Sequence, residues 1–489
     1  MERMKIFWRS MVALSALSVV GLVGYRFSAQ RAQAEPAEPN KPKEAAYQPR
    51  KKGTLTFSRD IAPIIFENCT SCHRAGEVGP FPLQTYQDVK KRARQIAYVT
   101  HNRSMPPWKA EVGFNSFVGE RRLTNDQLGM IQQWVEEGAS EGKRADLPAL
   151  PKFTEGWSLG TPDAVFQPDQ SFTLAGEGKD EYRNFVIPTN YAEDRWISTV
   201  EVRPGNSKVV HHVLIFLDTT GTARKLDAKD AAPGYSTFGG IGFLPSGGLG
   251  GWAPGNLPRP LPPGTGVLLP KGADIVLQVH YHRSGKSESD RTKIGVHFAK
   301  GPVDKQVRVL PVVYPFLRIP AGESNYTVRA GMGVPGDVTL INVTPHMHLL
   351  GRSMTVTAQL PDGTTRPVVK VPDWDFNWQT TYVFKEPMKL PQGARIQLAA
   401  TYDNSEKNPR NPSSPPKTVT WGEETTDEMC IAFVSYTVDS EHLTKGIKAS
   451  GYLDFGGGNR RGNRGEMLRE VLQQFRSNRR PNPAPAEKP

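Results

Sequence analysis

The 489-residue sequence predicts a multidomain protein in which a small all-α module precedes an all-β sandwich body. Three observations predict it. Helical apolar spacing appears between residues 53 and 143. Beyond about residue 155, short runs rich in Val, Ile, Phe, Tyr and Thr alternate with Gly/Pro turns, and no long amphipathic helix interrupts them. Glycine (46) and proline (42) are both frequent, which favours strands and loops over long helices.

Residues 1–34 read as an export signal. Arg3, Lys5 and Arg9 precede an apolar run from Met11 to Gly24, and Ala32-Gln33-Ala34 supplies a small-x-small cleavage site. The run is shorter than the roughly 20 residues a membrane span needs. Cleavage after Ala34 is therefore expected, with retention as an N-terminal anchor the alternative. The location expected is periplasmic or otherwise extracytoplasmic, membrane-anchored if the signal is retained. Residues 35–52, rich in Ala, Pro, Glu and Lys, read as a flexible tether.

The net charge of +12 sits at the two ends. Residues 1–52 carry ten Lys/Arg against four Asp/Glu, and residues 456–489 carry eight against three. The body between them is nearly neutral, so no basic groove for nucleic acid is expected. Three cysteines, Cys69, Cys72 and Cys430, are too few for a disulfide framework.

Residues 69–73 read Cys-Thr-Ser-Cys-His. Two thiols at this spacing can add to the vinyl groups of haem, and His73 can then ligate the iron. Met105, in Arg-Ser-Met-Pro-Pro-Trp, is the candidate sixth ligand, with His101 the rival. A helix is expected over Ser58–Asn68, capped by Ser58, with Ile61, Ile64 and Ile65 on one face. A second is expected over 124–138, where Thr124 and Gln127 form a capping box. These features resemble a class I cytochrome c domain over residues 53–143, followed by a linker at 144–156.

The remaining histidines concentrate in three groups: His211-His212, His280 with His282 beside it, and His346-Met347-His348. On an extended strand residues i and i+2 share a face, so His346 and His348 can reach one metal. Neighbouring His211 and His212 can do so only at a bulge or a strand end. Imidazoles suit several metals, and a thioether, for which Met429 is the candidate, shifts the choice towards copper.

The stretches Val-Val-His-His-Val-Leu-Ile-Phe around His211, Leu-Gln-Val-His-Tyr around His280, His-Met-His-Leu-Leu-Gly at 346–351 and Asp-Glu-Met-Cys at 427–430 resemble the copper type II, ascorbate-dependent monooxygenases. The likeness spans roughly 160–445. It implies two eight-stranded jelly-roll-like sandwich domains, placed at 157–305 and 306–450, with one copper in each. It implies that His211, His212 and His280 hold an electron-transfer copper. His346, His348 and Met429 would hold the catalytic copper that meets dioxygen, across an open, solvated cleft. The reaction implied is hydroxylation of a C–H bond of a small organic substrate by dioxygen. The electrons would come from ascorbate or another one-electron donor, either a small reductant or a redox partner protein.

The peptide-processing members carry an arginine where Thr344 stands, and an asparagine and a tyrosine where Ile431 and Phe433 stand. Those departures imply a less charged, more apolar pocket. Cys430 is expected to be a buried free thiol. Fusion to a haem module suggests that electrons pass from haem to the copper at His211/His212/His280. A haem/copper electron carrier or redox sensor without oxygenase activity is the alternative, and a copper-storing or structural protein a third reading.

Four further expectations concern smaller features. Gly239–Gly251 reads as a mobile loop, and Trp374, Phe376 and Trp378 as packing on a strand face, with lining of a substrate site the alternative. His297 and His442 read as structural or exposed. Residues 451–489 read as a disordered basic tail with a short helix at Glu466–Phe475.

Overall fold

The computed structural model of the chain describes residues 45–449 apart from 155, 238, 239 and 335. The expectations for the signal at 1–34, the first part of the tether and the tail at 451–489 lie outside the described residues. Among the described residues no helix is long and apolar enough to cross a membrane.

The first part is helical. A π-helical turn, Phe57–Ile61, runs into a helix at Ala62–Asn68, and further helices follow at Tyr86–Lys91, Ala93–His101 and Asn125–Glu136. Phe57, Ile61, Ile65, Ile131 and Trp134 form its buried centre. The last helix opens with the expected reciprocal box between Thr124 and Gln127. Ser58 does not cap the first helix. Its backbone N–H and its hydroxyl both donate to the Glu141 carbonyl, because the chain returning from the last helix lies alongside. Residues 45–52 are not a free tether either. Tyr47 packs against Gly129 and donates to Gln133 Oε1 (2.6 Å), while Arg50 pairs with Asp126 (3.0 Å).

The rest is predominantly strand. In the first sandwich one five-stranded sheet runs, in spatial order, Tyr235–Ser236, Glu181–Pro188, Asp274–Tyr281, Val210–Asp218, Gly247–Trp252. The facing sheet runs Ala164–Phe166, Lys293–Phe298, Arg195–Arg203, Thr265–Leu269, Lys305–Gln306. Every residue of Asp274–Tyr281 is buried. One face meets the sandwich core, and Val276 on the other is covered by Ala223, Tyr235 and Ile241. Part of the glycine-rich segment expected to be a mobile loop is the strand Gly247–Trp252. It pairs antiparallel with Val213–Leu217, and its backbone donors and acceptors are thereby satisfied.

The second sandwich packs two four-stranded sheets. One is ordered Arg308–Val313, Ile431–Val438, Val338–His346, Tyr382–Leu390. The other is ordered Tyr326–Gly333, Arg395–Tyr402, Gly351–Gln359, Thr365–Val371. Alternating burial along Arg308–Val313 shows the period-two pattern of a half-buried strand. Cys430 is a buried free thiol, and burial pushes it up to about 12.

A strap joins the helical part to this second sandwich. Trp108, Ala110 and Phe117 belong to the core of the second sandwich, not to the helical core. Trp108 and Phe117 pack on Tyr382 at 5.2 and 5.3 Å. The strap backbone adds to the outer edge of Tyr382–Leu390 through Val118 N–H to Val383 O (2.8 Å) and Lys385 N–H to Ser116 O (3.0 Å). Edge strands need such cover.

Candidate metal centre

His211 and His212 stand at the start of Val210–Asp218, and His280 near the end of its neighbour Asp274–Tyr281. The register runs Val210↔Tyr281 and then His212↔His280, so His211 is the extra residue of a bulge. A regular pleat would send the two rings to opposite faces. With the bulge, one ring nitrogen from each of His211, His212 and His280 lies within 4.8 Å of the others.

Nδ1 of His211 and Nδ1 of His280 are buried without a hydrogen-bond partner. Leaving such atoms unpaired costs about 1–3 kcal/mol each, so the trio has the donor set and the unmet need of a metal site. The Nε2–H of His280 donates to Asp180 Oδ2 (3.0 Å), which fixes the tautomer and leaves the Nδ1 lone pair free. Asp180 also accepts from His282 (3.1 Å) and from Thr425 of the second sandwich. Burial alone would raise the Asp180 carboxyl, but the bonds from His280 and Thr425 hold it well below the usual range. Tyr182 stacks on His280 (4.1 Å, 11°) and donates to the Glu423 carbonyl (2.6 Å).

His346 ends the strand Val338–His346, and His348 lies two residues beyond it. Their ring centroids are 5.2 Å apart. The Nδ1–H of His346 donates to Gln379 Oε1 (2.6 Å), and that of His348 to the Asp427 carbonyl (3.1 Å). Both rings therefore keep Nε2 as an acceptor. Burial pushes His211 down to about 3 and His346 to about 4, and drives His212 and His348 well below the ordinary histidine value. All four rings are neutral near pH 7, the form that binds metals.

The fully buried Glu428 ties Met429 to the His-x-His segment. Its Oε2 accepts the N–H groups of His348 (2.9 Å) and Met429 (3.1 Å), and its Oε1 accepts that of Leu350 (2.6 Å). Burial pushes this carboxyl up to about 8 against the pull of those donors. Trp374 Nε1–H donates to the His348 carbonyl (3.0 Å), and Tyr402 to that of Met429 (2.9 Å).

The two histidine sets adjoin. The ring centroids of His212 and His346 are 6.5 Å apart. Phe376 stacks on His211 (4.5 Å, 17°) and stands edge-on to His348 (5.8 Å). The likeness read in the sequence implies an open cleft, whereas here an aromatic ring bridges the sets. Trp374, Phe376 and Trp378 do not lie on a strand face: they occupy the connection between Thr365–Val371 and Tyr382–Leu390.

In the helical part, Cys69 and Cys72 are free, half-buried thiols just after Ala62–Asn68. The His73 Nδ1–H donates to the Phe81 carbonyl (3.1 Å), which leaves Nε2 available to a metal. A side chain at Gly79 would strike the Cys72 carbonyl at 2.6 Å, so glycine permits this tight turn around His73. Met105 is half-buried, its N–H bound to the Val99 carbonyl (3.1 Å) in the turn closing Ala93–His101. His101 is exposed at the end of that helix.

Asp180, Gln379 and Glu428 are the functional neighbours that sequence reasoning missed. Glu428 stands beside Met429 in a quoted motif and was within reach. The others come from segments with no metal-ligand spacing.

Residues 326–447 match the family described as copper type II ascorbate-dependent monooxygenase, C-terminal domain. No curated protein matches the chain. Among solved structures, the major capsid protein P2 from bacteriophage PM2 is similar at 9% identity over 59% of this chain and 99% of that one, with a TM-score of 0.23. PNGase F, a glycosylasparaginase from Flavobacterium meningosepticum, is similar at 8% identity over 55% and 97%, with a TM-score of 0.25. Scores this low carry no argument.

Proposed function

We propose that this chain is an extracytoplasmic, copper-dependent monooxygenase that hydroxylates a C–H bond of a small apolar substrate, with electrons arriving through a c-type haem. One observation carries the reading. Three imidazoles converge within 4.8 Å, two with buried and unpartnered Nδ1 atoms, beside a region that matches the copper monooxygenase C-terminal domain. Bound copper supplies one-electron redox chemistry and dioxygen activation, and bound haem supplies one-electron transfer.

The chain's own groups prepare both sites. Asp180, Gln379 and the Asp427 carbonyl each hold a ring proton on one nitrogen of His280, His346 and His348, so the other nitrogen would be free to bind a metal. Phe376 places an apolar ring between the two histidine sets, in contact with His211 and His348. Beside His346, the Thr344 hydroxyl is taken up by Thr381 (2.8 Å), and Phe433 lies 6.4 Å from the His346 ring. These three side chains are uncharged, which suits an apolar substrate better than a carboxylate. The strap gives the haem module a fixed seat on the sandwich that carries His346 and His348. The export reading of residues 1–34 and the Cys-x-x-Cys-His sequence support haem attachment outside the cytoplasm.

The closeness of His212 and His346 favours a second reading, electron exchange without oxygenation. Isotope tracing separates the two. Copper-loaded protein in a cell extract under labelled dioxygen is expected to place one labelled oxygen atom in an organic product, and Met429→Ile to abolish it. Labelled water without labelled product, or turnover retained by Met429→Ile, would refute the proposal as stated.

A further inference from the structure

Arg121 and Arg259 meet where three parts of the chain join, and among the described residues neither forms an ion pair. Arg121 follows the strap, and its Nη2 donates to the Gly255 carbonyl (3.0 Å). Its Nη1 is buried without a partner. Arg259 comes from the loop of the first sandwich that begins near Gly255, and its Nη2 lies against Gly119, two residues before Arg121. A side chain at Gly119 would collide with that guanidinium, and its backbone is left-handed (φ +67), so this close approach needs glycine.

The surroundings belong to the other parts. A Cβ placed on Gly255 would lie 3.5 Å from Pro107, two residues beyond Met105, and 3.6 Å from Trp378. Asn256 is fastened to the second sandwich through the Gln379 carbonyl (3.0 Å). Burial lowers both guanidinium pKa values, and for Arg121 the Cys72 thiol opposes that effect while Arg259 adds to it. Arginine does not give up its proton in proteins. Two half-buried like charges without an acid are costly, and a planar guanidinium pairs best with a carboxylate.

We propose that Arg121 and Arg259 form a carboxylate-binding pair at this junction, closed by a propionate of the haem held at Cys69 and Cys72. The inference rests on the haem reading of Cys69–His73. A free small carboxylate is the other source of the same chemistry. The haem source is preferred because Arg121 binds the Gly255 carbonyl, whose residue adjoins Pro107 next to the candidate ligand Met105, and because Arg121 feels the charge of Cys72.

The test uses the full chain matured with covalent haem, as wild type, Arg121→Leu, Arg259→Leu and Arg121→Lys. Haem midpoint potential is measured spectroelectrochemically against pH. Loss of either positive charge is expected to lower the potential and to make it rise as pH falls, because the freed propionate then takes up a proton. Arg121→Lys is expected to keep most of the wild-type behaviour, which a packing defect would not do. A potential that ignores all three variants, together with calorimetric binding of citrate that Arg121→Leu abolishes, would assign the pair to a free carboxylate. Unchanged potentials and no citrate binding would overturn the proposal. A wild-type chain that takes up no covalent haem would refute the haem reading itself, and citrate calorimetry would then decide the arginine pair alone.

Discussion

Replacing Asp180 by asparagine tests how the His280 ring is held for a metal. The side chain keeps its size and one acceptor oxygen but loses its charge. Asp180 is only 12% exposed, so solvent screens its bond to His280 weakly. It accepts from His280 at 3.0 Å, from His282 at 3.1 Å and from Thr425. An amide in the wrong orientation would present N–H groups to His280 and move the ring proton onto Nδ1, the nitrogen that has no other partner. Removing a carboxylate behind a ligating imidazole typically weakens metal affinity by about 10–100-fold, or about 1.4–2.7 kcal/mol. The assay is competitive copper titration in a His346→Ala/His348→Ala background, which isolates the site of His211, His212 and His280. Thr425→Ala is expected to act in the same direction more weakly. His282→Ala is expected to do little, since that ring is 66% exposed. Affinity within twofold of the parent in Asp180→Asn, with His280→Ala losing the ion, would refute the role given to Asp180.

Glu428→Ala leaves unpaired the half-buried N–H of Met429 and the buried N–H groups of His348 and Leu350, at about 1–3 kcal/mol for each buried one. Urea denaturation followed by tryptophan fluorescence is expected to show a loss of at least about 2 kcal/mol by that arithmetic, and X-ray absorption of the Cu(I) form a weaker sulfur contribution. Phe117→Ala empties a site that is 1% exposed in the second sandwich, and about 3–5 kcal/mol is the expected cost. Limited proteolysis should then cut the strap while any haem spectrum persists. The metal-free chain is expected to lose stability as pH falls from 6.5 towards 4. The unfolded histidines take up protons in that window, whereas burial keeps His346 down to about 4 and His211 to about 3. For His346 alone this corresponds to about 3 kcal/mol. A melting temperature flat between pH 7 and 4.5 would contradict it.

Much of the strand layout was legible because period-two runs bounded by Gly and Pro carry their own signal. Lys293–Phe298, Arg395–Tyr402, Asp274–Tyr281 and Ile431–Val438 are strands formed by such runs. Pairing was not legible. Whether His211 and His212 share a face depends on a one-residue slip against His280, and a slip has no signature in one strand alone. The Thr124/Gln127 box was readable because both partners lie within one turn. The Ser58 cap failed because the competing Glu141 carbonyl is 83 residues away. The closed junction escaped for the same reason: Phe376 and Gln379 come from a connection whose aromatic pattern looks like ordinary packing.

The strap carries a consequence for how the molecule is made. Lys109 and Asp373, which it joins at 2.8 Å, are 264 residues apart. At roughly 5–20 residues per second of synthesis, that gap spans on the order of 10–50 s. Throughout that delay Trp108 and Phe117 have no hydrophobic berth, while Cys69 and Cys72 have already emerged. Seating of the strap is therefore among the last events of folding, completed only when the strand at 382–390 is in place to receive the waiting aromatics.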